Sequence, residues 1–463
     1  MLNESIYNIS PILFQNFIIS TYGKKVFKQR YGDVYYHFFE EYIKEEKSNI
    51  AKEKENQLIE LRSLIEHAKK YSPYYASTLK NIEAIKIKNI DDIKKIPIIE
   101  KEELRQNIKS IYTTANRNTI KSFTGGTTGK SLEVYFTQND FQKRMAYLDS
   151  FKYKCGINNI FLSKKATFSG RSFAKGFFQK NSNIYWRFNS AYNQRLYSTF
   201  DMQEENLRYY ISDLNDYKPE IINGFVSAIY QLAKYVLDNN INLVFTPKAI
   251  FTTSETLLSF HRDAIQSAFS CKVFNQYASA EGAPFITECV AGKLHYRMDT
   301  GVIETNETGE MLVTSFTTYG TPLIRYNIGD RITFAKNDGY SLCECGSCHP
   351  IVESIDGRAV DYLFSPEKGK VSLSHLADVI KGIPNSIKEV QFIQNNIDEI
   401  EIHLNVDKKQ YTAQDEKKII ESMTYRFGRN MFFTIKLADR IERTRGGKFV
   451  LIKNNLIKII EKS

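Results

Sequence analysis

A chain of 463 residues, 42% hydrophobic and 25% charged, is long enough for two or three cores and has the composition of a soluble globular protein. Its formal net charge is +10, with lysines scattered among glutamates, so nothing demands nucleic acid; an anionic ligand, or weak attraction to an acidic membrane surface, suits this balance equally. No stretch approaches the ~20 apolar residues of a membrane span, and the apolar run 9–19 lacks the flanks of a secretion signal, so the expected location is the cytoplasm.

Residues 1–56 are aromatic-rich, with Tyr35, Tyr36, Phe38 and Phe39 close together, and are expected to pack on the main body. Leu58, Leu61, Leu64, Ile65 and Ala68 recur at helical spacing and predict a helix over 57–70, ending before Ser72-Pro73. A second helix is expected over 90–107. Between 137 and 315, helical patterns (140–154, 204–217, 226–238, 257–269) alternate with β-rich runs (165–168, 221–225, 249–253, 272–277). That alternation predicts an α/β body with substantially parallel sheet and ligands at the strand carboxyl ends. Strands follow at 311–316 and 331–334 around a Gly-Asp turn. Beyond 361 a helix (373–381), two strands (390–394, 399–406), a helix (414–427) and a strand (432–437) compose a small α+β unit.

The stretch with the clearest chemistry is TGGTTGKS, Thr124–Ser131. Gly125, Gly126 and Gly129 let backbone N–H groups converge, Thr124, Thr127 and Thr128 add hydroxyls, and Lys130 adds a cation, which is what a polyphosphate needs. A Walker A loop would need glycine where Thr124 stands and a helix after it. Here the alternating run 132–137 predicts a strand, hence a hairpin over a nucleotide.

Four further stretches combine turn residues with charge: TTSE (252–255), QYASAEG (276–282), LIRYNIGD (323–330) and GRAVD (357–361), with Thr-Arg-Gly-Gly-Lys448 near the end. In this order they resemble the adenylate-forming ligase superfamily, and more closely its phenylacetate-CoA ligase branch with the CapK-like relatives of capsule biosynthesis. The likeness runs from about Leu61 to the carboxyl terminus and includes SPYYASTLK and IPIIEKEELRQN.

The resemblance implies a large body (57–356), a hinge (357–361) and a small mobile α+β domain (362–463). It implies ATP and Mg²⁺ as requirements, a carboxylic acid as substrate, an acyl-AMP intermediate, and CoA or an amine, such as one on a sugar for a surface polysaccharide, as acceptor. Residues 124–130 would hold the β- and γ-phosphates. Tyr277 would lie against the AMP moiety with Ala278 and Ser279 beside it, Glu281 would help to hold Mg²⁺, Asp330 would accept from the ribose, and Arg358 would lie near ribose or phosphate. Lys448 would offset charge in the transition state. The acid pocket would draw on 167–171, 223–227 and 252–255, with Gly224 and Ser227 as positional residues, Ser254 and Glu255 at its lip, and Arg171 as a cation for a carboxylate. The chain departs from the family pattern at Ala278, Ala280, Asn327 and Val360, which keeps open a degenerate member that binds nucleotide or docks to a complex without turnover.

Of the six cysteines, Cys289, Cys343 and Cys345 with His295 make a Cys₃His set suited to structural zinc, with Cys348 in reserve; the bland alternative is buried or loop thiols.

Overall fold

The computed structural model describes residues 7, 10–44, 49–114, 119–123, 132–171, 173, 182–336, 340, 343–358, 362–367, 369–372, 376, 379, 383–384, 386–444 and 448–456. The chain opens with α1 (Ile12–Arg30), α2 (Asp33–Lys44), α3 (Ile50–Tyr71) and the short α4 (Pro73–Thr78). α3 carries the expected 57–70 periodicity: Leu61, Leu64, Ile65 and Ala68 are fully buried, and Ser72 ends it before Pro73 while its hydroxyl caps α4. The single helix expected over 90–107 is corrected to a 3₁₀ segment, Ile90–Lys95, followed by α5 (Lys101–Ile111). Pro97 lacks an N–H and disfavours helix at the residue before it, and Ile99 instead bridges to Tyr326.

β1 (Ile120–Phe123) and β2 (Glu133–Phe136) form an antiparallel hairpin, as expected; Thr124–Ser131 between them lie outside the described residues. The hairpin is tied down at its base. Tyr135 N donates to Thr321 Oγ1 at 2.8 Å, Thr321 Oγ1 donates to Tyr135 O at 3.0 Å, and Tyr112 Oη donates to Glu133 O at 2.8 Å.

α6 (Gln138–Lys154) then leads into β3 (Lys165–Ser169), β4 (Trp186–Asn189), β5 (Gln194–Ser198), α7 (Glu204–Tyr217), β6 (Ile221–Phe225), α8 (Val226–Asp238), β7 (Ala249–Thr253), α9 (Ser259–Phe269) and β8 (Val273–Tyr277). β5, β3, β6, β7 and β8 lie side by side and parallel. β6 and β7 are buried along nearly their whole length, as strands covered on both faces must be. Gly224 is required here: it has φ +148°, and a Cβ would stand 2.1 Å from Phe168 O.

β9 (Ile286–Glu288), β10 (Leu294–Tyr296), β11 (Gly301–Thr305), β12 (Glu310–Ser315), β13 (Tyr326–Phe334) and β14 (Ile351–Arg358) continue the sheet in antiparallel fashion, to twelve strands among the described residues. The expected Gly-Asp turn is corrected: β13 runs straight through it. Gly329 at φ +82° and a register shift after Arg331 absorb the irregularity as a bulge.

The aromatic-rich start packs on the body. At the sheet's edge strand β4, Phe188 N donates to Asn16 Oδ1 at 2.9 Å and Ser190 N to Ser20 Oγ at 3.0 Å, so α1 covers backbone groups that would otherwise invite pairing. Its outer face leaves Leu13 and Phe17 exposed.

A separate small domain follows, with β15 (Tyr362–Ser365), β16 (Gly369–Ser372), β17 (Ile387–Asn396), β18 (Glu399–Val406), α10 (Ala413–Phe427), β19 (Phe432–Leu437) and β20 (Ile452–Asn454). Its own core gathers Leu363, Phe392, Ile402, Leu404, Met423 and Phe427. Most of the helix expected over 373–381 lies outside the described residues.

Candidate active site

Tyr277 ends β8 and Asp330 sits at the bulge of β13. The Tyr277 phenol donates to Asp330 Oδ2 at 2.7 Å. Burial, then the Asp330 charge and hydrogen bond, push the phenol well above its usual range, so it stays a donor. Asp330 is also the ladder partner of Arg358 on β14. Tyr277 and Asp330, both expected around the nucleoside, thus meet, and the backbone of a third, Arg358, runs beside Asp330.

Glu281, in the turn after β8, is 6% exposed. Lys101, the first residue of α5, reaches it at 3.4 Å. The turn is shaped by Ser279, whose Oγ accepts from Gly282 N (3.1 Å) and Ala283 N (3.0 Å). Buried Arg144 on α6 donates to Gly282 O (3.0 Å), Ala283 O (3.2 Å) and Thr317 Oγ1 (2.8 Å). Ala278 is partly buried and packs against the cluster of Tyr35, Tyr147 and Phe285. A single carboxylate such as Glu281 is the kind of protein ligand that Mg²⁺ uses, since the ion keeps waters and substrate oxygens as its other ligands.

At the carboxyl ends of β6 and β7, Glu255 accepts from Ser227 N at 2.7 Å and from Ser227 Oγ at 3.1 Å. Ser254 is exposed with φ +69°, and Arg171 is exposed just past β3. Ser227 and Glu255 are therefore joined, while no contact joins Arg171 to them. The small domain meets this lip: Phe449 N donates to Glu255 Oε1 at 3.1 Å. Lys448 is its neighbour in sequence, with Lys448 N donating to Thr444 Oγ1 at 3.1 Å and Thr444 N to Lys448 O at 2.9 Å; residues 445–447 lie outside the described ones.

Sequence reasoning missed Lys101 and Arg443. Each is one charge among several in its stretch, and only the fold sets the first against Glu281 and the second against Glu389.

Away from this lip, Cys289, His295, Cys343 and Cys345 bring one ligand atom each within 4.8 Å of one another. The Cys289–Cys343 Sγ separation is 3.8 Å and Cys345 Sγ lies 3.5 Å from His295 Nε2. A tetrahedron with Zn–S of about 2.3 Å has edges of about 3.8 Å, which these two separations match, so the donor set suits zinc. His295 Nδ1 bonds the His349 carbonyl at 2.8 Å, which can only accept, so Nε2 presents its lone pair to the thiols. Burial pushes the Cys345 thiol up to about 12; a cation would turn this group of thiols into thiolates.

No helix among the described residues is long and apolar enough to cross a membrane.

Comparison with known proteins bears on the whole chain. A family model described as the CapK C-terminal domain matches residues 363–455. Protein CapK of Staphylococcus aureus is 38% identical over 462 residues, covering 98% of this chain and 100% of that protein. Indoleacetate–lysine synthetase of Pseudomonas savastanoi is 25% identical over 260 residues, 54% of this chain and 62% of the relative. Among solved structures, 2-hydroxyisobutyryl-CoA ligase in the postadenylation state, in complex with R3-HIB-AMP, aligns with a TM-score of 0.70 at 15% identity, covering 89% of this chain and 93% of that one. The same ligase with 2-HIB-AMP and CoA in its thioesterification state aligns with 0.54 at 14% identity, covering 90% and 93%. The fold is that of the adenylate-forming ligases, and by full-length identity the chain belongs to the CapK family.

Proposed function

We propose that this protein activates a carboxylic acid with ATP and hands the acyl group to a thiol or an amine. In the first step a carboxylate oxygen attacks the α-phosphorus, the bond to the bridging oxygen breaks, and pyrophosphate leaves with its electron pair. In the second, the acceptor's sulfur or nitrogen attacks the acyl carbon, loses its proton, and AMP departs. The observation that carries this reading is the gathering of the Tyr277–Asp330 pair, Glu281 and the stretch bearing Lys448 near the strand carboxyl ends, from three distant parts of the sequence.

In this reading Asp330 accepts from the ribose hydroxyls, because an ionised carboxylate offers acceptors only, and Tyr277 orients it. The glycine-threonine loop, on its anchored hairpin, wraps the phosphates. Mg²⁺ on Glu281 would neutralise charge on the phosphate oxygens, with Lys101 holding the carboxylate in place until then. Lys448 offsets the charge that develops as pyrophosphate leaves. The better alignment with the ligase in its postadenylation state than in its thioesterification state supports taking this small-domain arrangement as the one in which Lys448 serves the first step. Both acceptor chemistries have support: an amine from the printed name of the lysine synthetase relative, and CoA from the neighbouring ligases. The test is acid-dependent pyrophosphate release over a panel of carboxylic acids, followed by addition of CoA or amines. A panel that gives release with no acid, while ATP binds, would favour a nucleotide-binding protein without turnover.

A further inference from the structure

Glu255 stands two residues beyond β7, after the left-handed Ser254, and that turn brings its carboxylate over the amino end of α8. Ser227, in the first turn of that helix, donates to both of its oxygens, by N–H at 2.7 Å and by hydroxyl at 3.1 Å. A carboxylate is favoured there by the helix dipole and by otherwise orphaned N–H groups. Its third donor comes from the other domain: Phe449 N at 3.1 Å. Beside it, Arg443 spans the same boundary. Its guanidinium holds Glu389 of the small domain at 3.0 Å and reaches Ser227 Oγ and Gln231 Oε1 of α8, each at 3.4 Å. The Arg443 and Glu389 side chains are only 7% and 16% exposed, so the pair is shielded from screening by water. Two more contacts close the seam, Lys388 with Glu204 and Arg440 with Phe200 O at 2.9 Å.

Arg443 and Phe449 are bridge partners, the two stems of the turn that carries Lys448. Both stems are therefore fastened to the start of α8, one through Glu255 and one directly. We infer that Glu255 and Arg443 are positioning residues, an interdomain latch that sets Lys448 over the site for acid activation and must open before the acyl group is transferred. The latch makes Glu255 a fastening for the small domain rather than a group that meets the acid. Its catalytic consequence rests on the function proposed above; its structural content does not.

Two readouts keep these apart. Amide hydrogen exchange in Glu255→Gln and in Arg443→Met, both checked for unchanged melting of the body, reports the latch itself. A glutamine turns an N–H toward a donor, so the amides of 448–450 and of Ser227 should exchange roughly tenfold faster, while β17 and β18 stay as protected as before. Unchanged exchange at those amides in both variants overturns the latch, whatever the enzymology. For the half-reactions, acid-dependent ATP–pyrophosphate exchange should fall about tenfold, while conversion of supplied acyl-adenylate to product is undiminished. Equal loss in both half-reactions, or in neither, overturns the positioning role. Faster amide exchange in a protein that activates no acid at all would leave the latch standing and remove the proposed function instead.

Discussion

The phenol of Tyr277 and the carboxylate of Asp330, 53 residues apart, are hydrogen-bonded at 2.7 Å, although β9, β10 and β14 lie between their strands in the sheet. Four strand spacings in a flat sheet would separate them by about 19 Å. The bond therefore requires the antiparallel half to curl back toward the end of β8, and that curl brings Asp330 to the strand end from which the Glu281 turn departs.

Replacing Asp330 with alanine removes the proposed ribose acceptor and the partner of a half-buried phenol. ATP affinity should fall about 10–100-fold, the usual worth of a hydrogen bond to a charged group, with a smaller loss in Tyr277→Phe. Calorimetric titration of ATP checks this; an unchanged dissociation constant in Asp330→Ala would remove the pair from the nucleotide site.

Lys448→Ala should depress pyrophosphate release by about 10²–10³-fold and leave ATP binding within about twofold, because in the proposed reaction the amine acts on charge that exists only in the transition state. The comparison needs rates and titrations on the same preparation. Full adenylation in the alanine variant is the outcome that refutes the assignment.

Metal analysis of the purified protein should find about one zinc per chain, and chelation or Cys289→Ser should lower unfolding stability by at least ~3 kcal/mol. An ion held there would have all four positions supplied by protein and so be structural, and cobalt should replace it with little change in rate. A metal-free protein of unaltered melting temperature contradicts this.

Asp140 is buried, with Oδ2 accepting from Thr137 N at 2.8 Å and Gly320 N at 3.0 Å. It fastens the end of the glycine-loop hairpin to the segment behind it. Asp140→Ala strands those two donors and should cost about 2–4 kcal/mol in chemical denaturation; a loss below ~1 kcal/mol would show that water replaces the carboxylate freely.

His261 packs against Tyr230 and Phe260, and burial lowers its pKa from 6.5 to about 3. The unfolded chain protonates first as pH falls, so folded-state stability is full above 6.5 and is lost from there down toward 3. The slope from this group is about 1.4 kcal/mol per pH unit in that window. Melting curves from pH 7.5 to 5 should therefore fall more gently in His261→Gln than in the parent. Parallel curves would mean that the imidazole is hydrated in the folded state.

Local chemistry made much of this protein legible in one dimension. The parallel strands announce themselves because burial on both faces favours short β-rich runs with few polar interruptions, as in Ile221–Phe225, broken only at Asn223 and Gly224, and Ala249–Thr253. The thiol and imidazole set could be named from residue type and spacing, since few side chains satisfy a soft cation, and the fold does bring the four together. Tertiary structure alone decided the pairings that depend on long-range closure. Short strands such as Ile286–Glu288 and Leu294–Tyr296 have too few residues for a period to register, and it is their curl that joins Tyr277 to Asp330. Lys101 and Arg443 carry no local signal, because a lysine beside a glutamate or an arginine beside a threonine is ordinary surface until another element arrives opposite it. Glu255 shows the same limit: its sequence context marks it as a residue at the end of a strand, but a carboxylate's role follows from its donors, and one of those donors comes from the other domain.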